Sequence, residues 1–160
     1  MSITDHKPII VDEVLSNLSE IYSVVLPQDY LGFLYEKNGG RPDDDWVFDF
    51  IETGIDRVTS SCIKQYYYID KESSTSYRNA VLIYKELVDS EQVPPSLFPI
   101  ADDPGGNYIL LCVSDDDYGH VYFADHELED SETRYMVMSP LADSFTEFID
   151  KLYIKDYPLL

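Results

Sequence analysis

Apolar residues recur at helical spacing through the first part of the chain. Between Ile9 and Tyr22, Ile10, Val14, Leu18 and Ile21 form one stripe, and Asp12, Glu13, Ser16 and Glu20 fall largely outside it, so the spacing predicts a helix docked by one face. Leu26-Pro27-Gln28-Asp29-Tyr30 opens a second helix: the proline suits a first helical turn and the acid sits beside the positive end of the dipole. Tyr30, Phe33, Leu34 and Lys37 continue its period. Asn38-Gly39-Gly40 is expected to stop it, because Asn and Gly reach the left-handed conformation that closes a helix.

Past the polar link Arg41 to Asp45, Trp46-Val47-Phe48-Asp49-Phe50-Ile51 is rich in strand formers and is expected to open a sheet. From Glu52 to Glu72 the signals conflict. Ile55, Val58, Cys62 and Ile63 suggest a helical face, whereas Tyr66-Tyr67-Tyr68-Ile69 favours extended chain, and the type stays open. Ser73 to Ser76 read as a loop and helix start, Val81, Tyr84, Leu87 and Val88 as that helix's buried side, and Pro94-Pro95 as its end. Four short apolar runs follow: Leu97 to Ala101, Tyr108 to Ser114, His120 to Ala124 and Arg134 to Met138. Asp115 to Gly119 is a hairpin connection with Gly119 available for positive φ. Ser139-Pro140 leads to a last helix capped by Asp143 or Ser144, with Phe145, Phe148, Ile149 and Leu152 inward. Helices, an antiparallel meander, then a covering helix define an α+β order, with about four to six strands packed by N-terminal helices and a C-terminal helix.

Length and charge narrow the picture. The 160 residues, 44% of them hydrophobic, suit one domain spanning 1–160. The apolar runs are far shorter than the ~20 residues of a spanning helix, and charges interrupt the N-terminus where a signal peptide would be apolar. A cytoplasmic protein without membrane association is expected. Against 31 acidic residues stand 11 basic ones, a formal charge of -20. No Lys/Arg cluster exists to release counterions from a phosphate backbone, so direct nucleic-acid binding is not expected. The charge serves solubility, or steering toward a basic partner.

The stretch ADDPGGNYILL, Ala101 to Leu111, is the most suggestive for chemistry. It lacks both the P-loop and the dinucleotide spacing, and it runs into a strand instead of the helix that would hold phosphate. As calcium loops, neither the segment from Asp102 nor that from Asp115 puts Gly and Glu at the required places. Its Asp102-Asp103 pair shows no sign of burial, so a turn with solvated acids is the expected reading. Cys62 and Cys112 have neither C-x-x-C spacing nor a His motif and read as small buried hydrophobes, a disulfide between them being the lesser alternative. His120 and His126 lie ~20 Å apart if the strand is continuous, too far to share a metal. Among 14 tyrosines, Tyr66-Tyr67-Tyr68 must alternate faces, so at least one turns outward unless both sides are covered. Trp46 beside Asp43-Asp44-Asp45 is a partner anchor or a core lid. No catalytic, cofactor-binding or metal-binding residue is nominated, and no enzyme is expected.

Taken in order, LPQDYLGFLYEKNGG, FPIADDPGGNYILLCV, DDDYGHVYFADHE and ADSFTEFIDKL resemble the SUKH superfamily, which contains bacterial toxin-immunity proteins and fungal cell-wall assembly regulators. The resemblance runs from about Leu15 to Tyr153 and is weaker through Glu52 to Val93. Its motif positions fall on Leu26, Pro27, Asn38, Gly39 and Gly40. They continue on Gly105, Gly106, Asn107, Gly119, Val121, Tyr122 and His126, with Asn107 a mild departure because many relatives carry Gly-Asp there.

The resemblance implies an α+β immunity or interaction module whose bacterial members bind a secreted toxin domain, often a nuclease. A nuclease needs a basic surface, so an acidic inhibitor fits it. The residues expected to meet such a partner are Asp43, Asp44, Asp45 and Trp46, then Asp115, Asp116 and Asp117, then Asp125, Glu127, Glu129 and Asp130. The alternative is a regulatory or scaffold module with no toxin.

Overall fold

The computed structural model describes residues 1–8, 12–71, 77–114 and 116–156. The uninterrupted apolar run after Asn107 forms a strand, β7 (Tyr108–Cys112), at the centre of a five-stranded antiparallel sheet. The sheet order is β5 (Gln65–Tyr66), β6 (Leu97–Asp102), β7, β8 (Val121–Glu129) and β9 (Met136–Ala142). Side chains alternate faces along a strand. Here Ile109 and Leu111 join the main core with Val121, Phe123, Phe98 and Ile100, while Leu110 and Cys112 join a second core on the other face with Leu87, Leu97 and Met136.

Two kinds of cover close the main face. A three-stranded antiparallel sheet is built from β3 (Trp46–Ile51), β4 (Val58–Cys62) and β10 (Tyr153–Ile154), in the order β10-β3-β4. Its Phe48 and Phe50 reach Phe123, at centroid separations of 6.1 and 4.5 Å. The helices α1 (Asp12–Tyr22), α2 (Gln28–Glu36) and α4 (Phe145–Lys151) supply Val14, Leu18, Tyr30, Leu34, Phe145 and Phe148 to the same core. The remaining helix, α3 (Ala80–Asp89), touches both cores, through Val81 and Tyr84 on one and Leu87 on the other. A small pair, β1 (Ile3–Thr4) with β2 (Arg41–Pro42), completes the strands.

The α+β antiparallel architecture agrees with the sequence reading; several local assignments change. Ile10 and Ser73 to Ser76 lie outside the described residues. Ile21 is exposed, since the stripe of α1 buries only Val14 and Leu18. The ambiguous segment is strand: β4 leaves Val58 exposed, and β5 begins the tyrosine run. All three tyrosines are buried, because both sides are covered: Tyr66 packs on Phe33, Tyr67 donates to Asp102, and Tyr68 donates to the Asp5 carbonyl under the Lys7 ammonium. An outward interface tyrosine in this run is thereby ruled out. Asn79, not the serine run, caps α3 by accepting from the Val81 N–H. β9 continues through Pro140 to Ala142, tolerable on an edge strand. Ser144 caps α4 by accepting from the Glu147 N–H, and Glu147 returns the bond to the Asp143 N–H.

Asn38-Gly39-Gly40 does not close the helix in the left-handed conformation expected of it, because the chain is already extended at Lys37. α2 ends at Glu36 with an extended Lys37, and the three residues beyond thread between the N-terminal arm and the tyrosine run. Asn38 is buried and donates to the carbonyls of Pro8 and Ile69 while accepting from the Ile69 N–H at 2.9 Å. A side chain on Gly39 would overlap the Tyr68 ring and backbone, and one on Gly40 the Thr4 carbonyl; both residues have positive φ. Asn38→Ala would orphan buried backbone groups, so it is expected to cost about 2–4 kcal/mol in urea unfolding. A loss below about 1 kcal/mol would mean that water replaces the amide.

Candidate functional site

The Asp102-Asp103 turn holds the densest polar network. Asp103 is buried, with 4% of its surface exposed, which corrects the expectation of solvated acids. Its carboxylate accepts from the Asn107 N–H at 2.8 Å, the Asn107 amide at 3.1 Å and the Ser61 hydroxyl at 2.8 Å. Gly106, at φ +82, lets the turn close with its N–H on the Asp103 carbonyl. Asn107 in turn accepts, through its side-chain oxygen, from the His126 N–H at 3.1 Å and from His126 Nδ1 at 2.7 Å. An amide can donate to Asp103 and accept from His126 together; a carboxylate at 107 could not donate. The departure at Asn107 therefore has a physical role: it links the turn, which Ser61 ties to β4 through Asp103, to β8 without adding charge.

Asp102 is held differently. The Tyr67 hydroxyl donates to one oxygen at 3.0 Å, and the other oxygen is buried without a partner. Burial pushes this carboxyl above the ordinary range, opposed by the tyrosine, and burial likewise pushes the Tyr67 hydroxyl up. These groups lie at the seam between β5 and β6, where Gln65 pairs with Asp102.

The nominated acids are tied to three parts of the fold. Asp43 accepts from the Trp46 indole N–H at 3.0 Å, and that bond holds its carboxyl below the usual range. Asp44 accepts from the Asp45 N–H, and Asp45 borders a shallow hollow with Cys62, Gly105 and Lys155. Trp46 is half-buried against the main core, so its ring lies as a lid with its one donor already engaged. Asp115 lies outside the described residues. Asp116 and Asp117 are exposed, and Asp117 accepts from the Tyr122 hydroxyl at 3.2 Å, 4.0 Å from His120. Desolvation, then Asp117, pushes Tyr122 up to about 12.

Asp125, Glu127 and Glu129 stand on the end of β8 rather than in a loop, where the pairing with β9 is irregular between Asp125 and Glu129. Glu129 pairs with Arg134 at 2.6 Å. Asp130 accepts from the Thr133 and Glu132 N–H groups, which hold its carboxyl low and shape the hairpin. Of the motif positions, Leu26, Pro27 and Val121 are buried, Tyr122 is half-buried, and Gly119 has φ +90 as its turn requires. Gly105 is exposed in the turn.

The two cysteines form no disulfide; Cys112 is buried as expected and donates to the Ser114 carbonyl, whereas Cys62 is only half-buried. Burial first, then Asp45 and Asp103, pushes the Cys62 thiol up, opposite to the shift that makes a nucleophile. Among the described residues no group of three His, Cys, Asp or Glu side chains could hold a metal ion, and no helix is long and apolar enough to cross a membrane. Sequence reasoning missed the exposed apolar hairpin end, where Ile51 pairs with Val58 and Ile55 caps the turn. It also missed Ser61 as the partner of Asp103; no periodicity announces a contact between two sheets.

Asp102 supports a pH prediction. With its folded value raised, the unfolded chain loses this proton first as pH climbs, so ionisation lowers stability between the ordinary aspartate value and the raised one and leaves a constant deficit above. Asp102→Asn keeps an acceptor for Tyr67 and removes the charge. The variant is expected to be more stable than wild type at neutral pH and to lose that advantage as pH falls through the window, read from thermal midpoints. A stability difference between the two proteins that does not change with pH would show that ionisation of Asp102 carries no folding penalty.

No curated protein matches the chain at a significant level. A family model does match, over residues 10–151, and its span includes every motif position from Leu26 to His126. The chain belongs to the SMI1 / KNR4 family (SUKH-1).

Proposed function

We propose that this chain is an immunity-type protein that binds a cognate toxin domain with a basic surface, of the nuclease kind, and neutralises it by stoichiometric occlusion. The family covers immunity proteins and regulators, and the observation that supports the immunity reading is charge. A formal charge of -20 on 160 residues is carried largely by exposed acids such as Asp44, Asp116 and Glu127. A carboxylate-rich surface attracts the lysines and arginines with which a nuclease holds phosphate, and repels the nucleic acid itself. In this reading the protein acts in the cytoplasm as one domain over residues 1–160, without cofactor and without catalysis.

The second reading is a regulatory or scaffold module with no toxin. The exposed apolar hairpin end at Ile51, Ile55 and Val58 favours it, since such a patch suits a partner that need not be basic.

Gene order separates the two: a large toxin gene beside this one supports immunity. Binding of that toxin's C-terminal domain should show 1:1 stoichiometry and an association rate that falls by about tenfold or more between low and high salt. Replacing Asp43, Asp44, Asp116, Asp117, Glu127 and Glu129 together by their amides should slow association by a similar factor. A salt-independent rate, or amide variants that associate normally, would remove electrostatic steering from the account.

A further inference from the structure

A glycine that the fold does not require stands in the middle of α2. Gly32 has ordinary helical φ, is exposed, and a Cβ built on it meets nothing within 4 Å. A helix interior gains from replacing such a glycine with almost any other residue, so neither backbone shape nor packing explains it. The open space it leaves belongs to a groove of about 290 Å³ between α2 and α4, floored by Phe33, Phe145 and Ile149 and rimmed by Glu36 and Asp150. Asp29 closes one end, its carboxylate accepting from the Thr146 N–H and hydroxyl at 2.9 and 3.1 Å, which fixes the two helices together.

The charges around the groove are of one sign. No lysine or arginine lines it. Lys151, next to Asp150, is drawn to Glu147 at 2.7 Å, and the carboxylates of Glu36 and Asp150 make no hydrogen bond or ion pair among the described residues. The turn that carries the exposed Asp116 and Asp117 meets the segment just before α2, where Tyr118 donates to the carbonyl of Val25. A second copy of this chain would bring another -20 to the same place and is disfavoured.

We infer that this groove is the seat of a cationic amphipathic segment: an apolar side chain enters over Gly32 onto Phe33 and Ile149, and flanking lysines or arginines pair with Glu36 and Asp150. The inference rests on the immunity reading only in naming the toxin as the natural source of that segment. Apolar contact sets the seat and the charges orient it.

The test is titration of the isotope-labelled full chain with a synthetic amphipathic helix bearing Leu and Arg at i, i+4 spacing, followed by amide chemical shifts. Expected are shifts centred on Gly32, Phe33, Glu36, Ile149 and Asp150. Gly32→Phe, which fills the groove from an exposed helix position, should weaken binding by about tenfold or more. Gly32→Ala should raise the thermal midpoint, which checks that the glycine serves no structural need. Shifts spread evenly over the acidic surface, no binding, full affinity in Gly32→Phe, or a lowered midpoint in Gly32→Ala would each overturn the inference. A toxin domain, where one is encoded beside the gene, distinguishes the two levels. If it binds wild type and Gly32→Phe equally, the groove fails and immunity stands; if it does not bind while the peptide seats in the groove, immunity fails and the groove stands.

Discussion

Strand β7 is buried on both faces, and that one constraint organises the molecule. A two-sided apolar strand cannot stop at a single layer of helices, because either face left open would expose the side chains of Ile109 and Leu111 or of Leu110 and Cys112. One face receives the small sheet and three helices. The other receives the end of α3 and residues such as Val93 and Met136. The strands that pair with β7 inherit the same demand, which is why Phe98, Ile100, Val121 and Ala124 are all inaccessible. Most charged residues are thereby left to turns, strand ends and the outer faces of helices and strands, with Asp103 and Glu52 as buried exceptions.

Such a packed centre still has to join two sheets whose backbones do not share a ladder. Asp103 does this through Ser61 of the small sheet and Asn107 of the large one. Asn38 does the equivalent on the opposite segment, joining the N-terminal arm to Ile69. Both are buried polar groups whose hydrogen-bonding capacity is used on neighbours distant in sequence. Satisfied groups of this kind specify one arrangement, because any slip leaves them unpaired in an apolar surrounding.

Much of this was legible in the chain, for identifiable reasons. Long periodic stretches such as Tyr108 to Val113 and Phe145 to Leu152 announce themselves, and the Asn-Gly-Gly and Pro-Gly-Gly turns locate the family. What stayed hidden depends on contact between remote segments. The tyrosine run reads as half-exposed until the N-terminal arm is laid over it, and ADDPGGN reads as a solvated turn until Ser61 arrives from β4. The exposure of Ile21 is a case of tertiary packing overriding a local stripe. Of the candidate site, the acids were visible as composition, but their ties to the indole of Trp46, to Tyr122 and to Arg134 were not. Gly32 carried a signal that periodicity alone passes over: a helix breaker inside an otherwise good helix.

The resulting division is a rigid apolar centre with buried polar ties and an acidic rim free to meet a partner. Amide hydrogen exchange, measured on the chain alone and with the basic toxin domain that the proposed function calls for, tests that division most directly. The account predicts slowed exchange on the rim, at α2, α4 and the turn at Asp116 and Asp117, with the turn at Asp103 already protected in the free chain and unchanged. Protection that appears only at the turn from Asp102 to Asn107, with the rim unaffected, would contradict it and make that buried network the functional site.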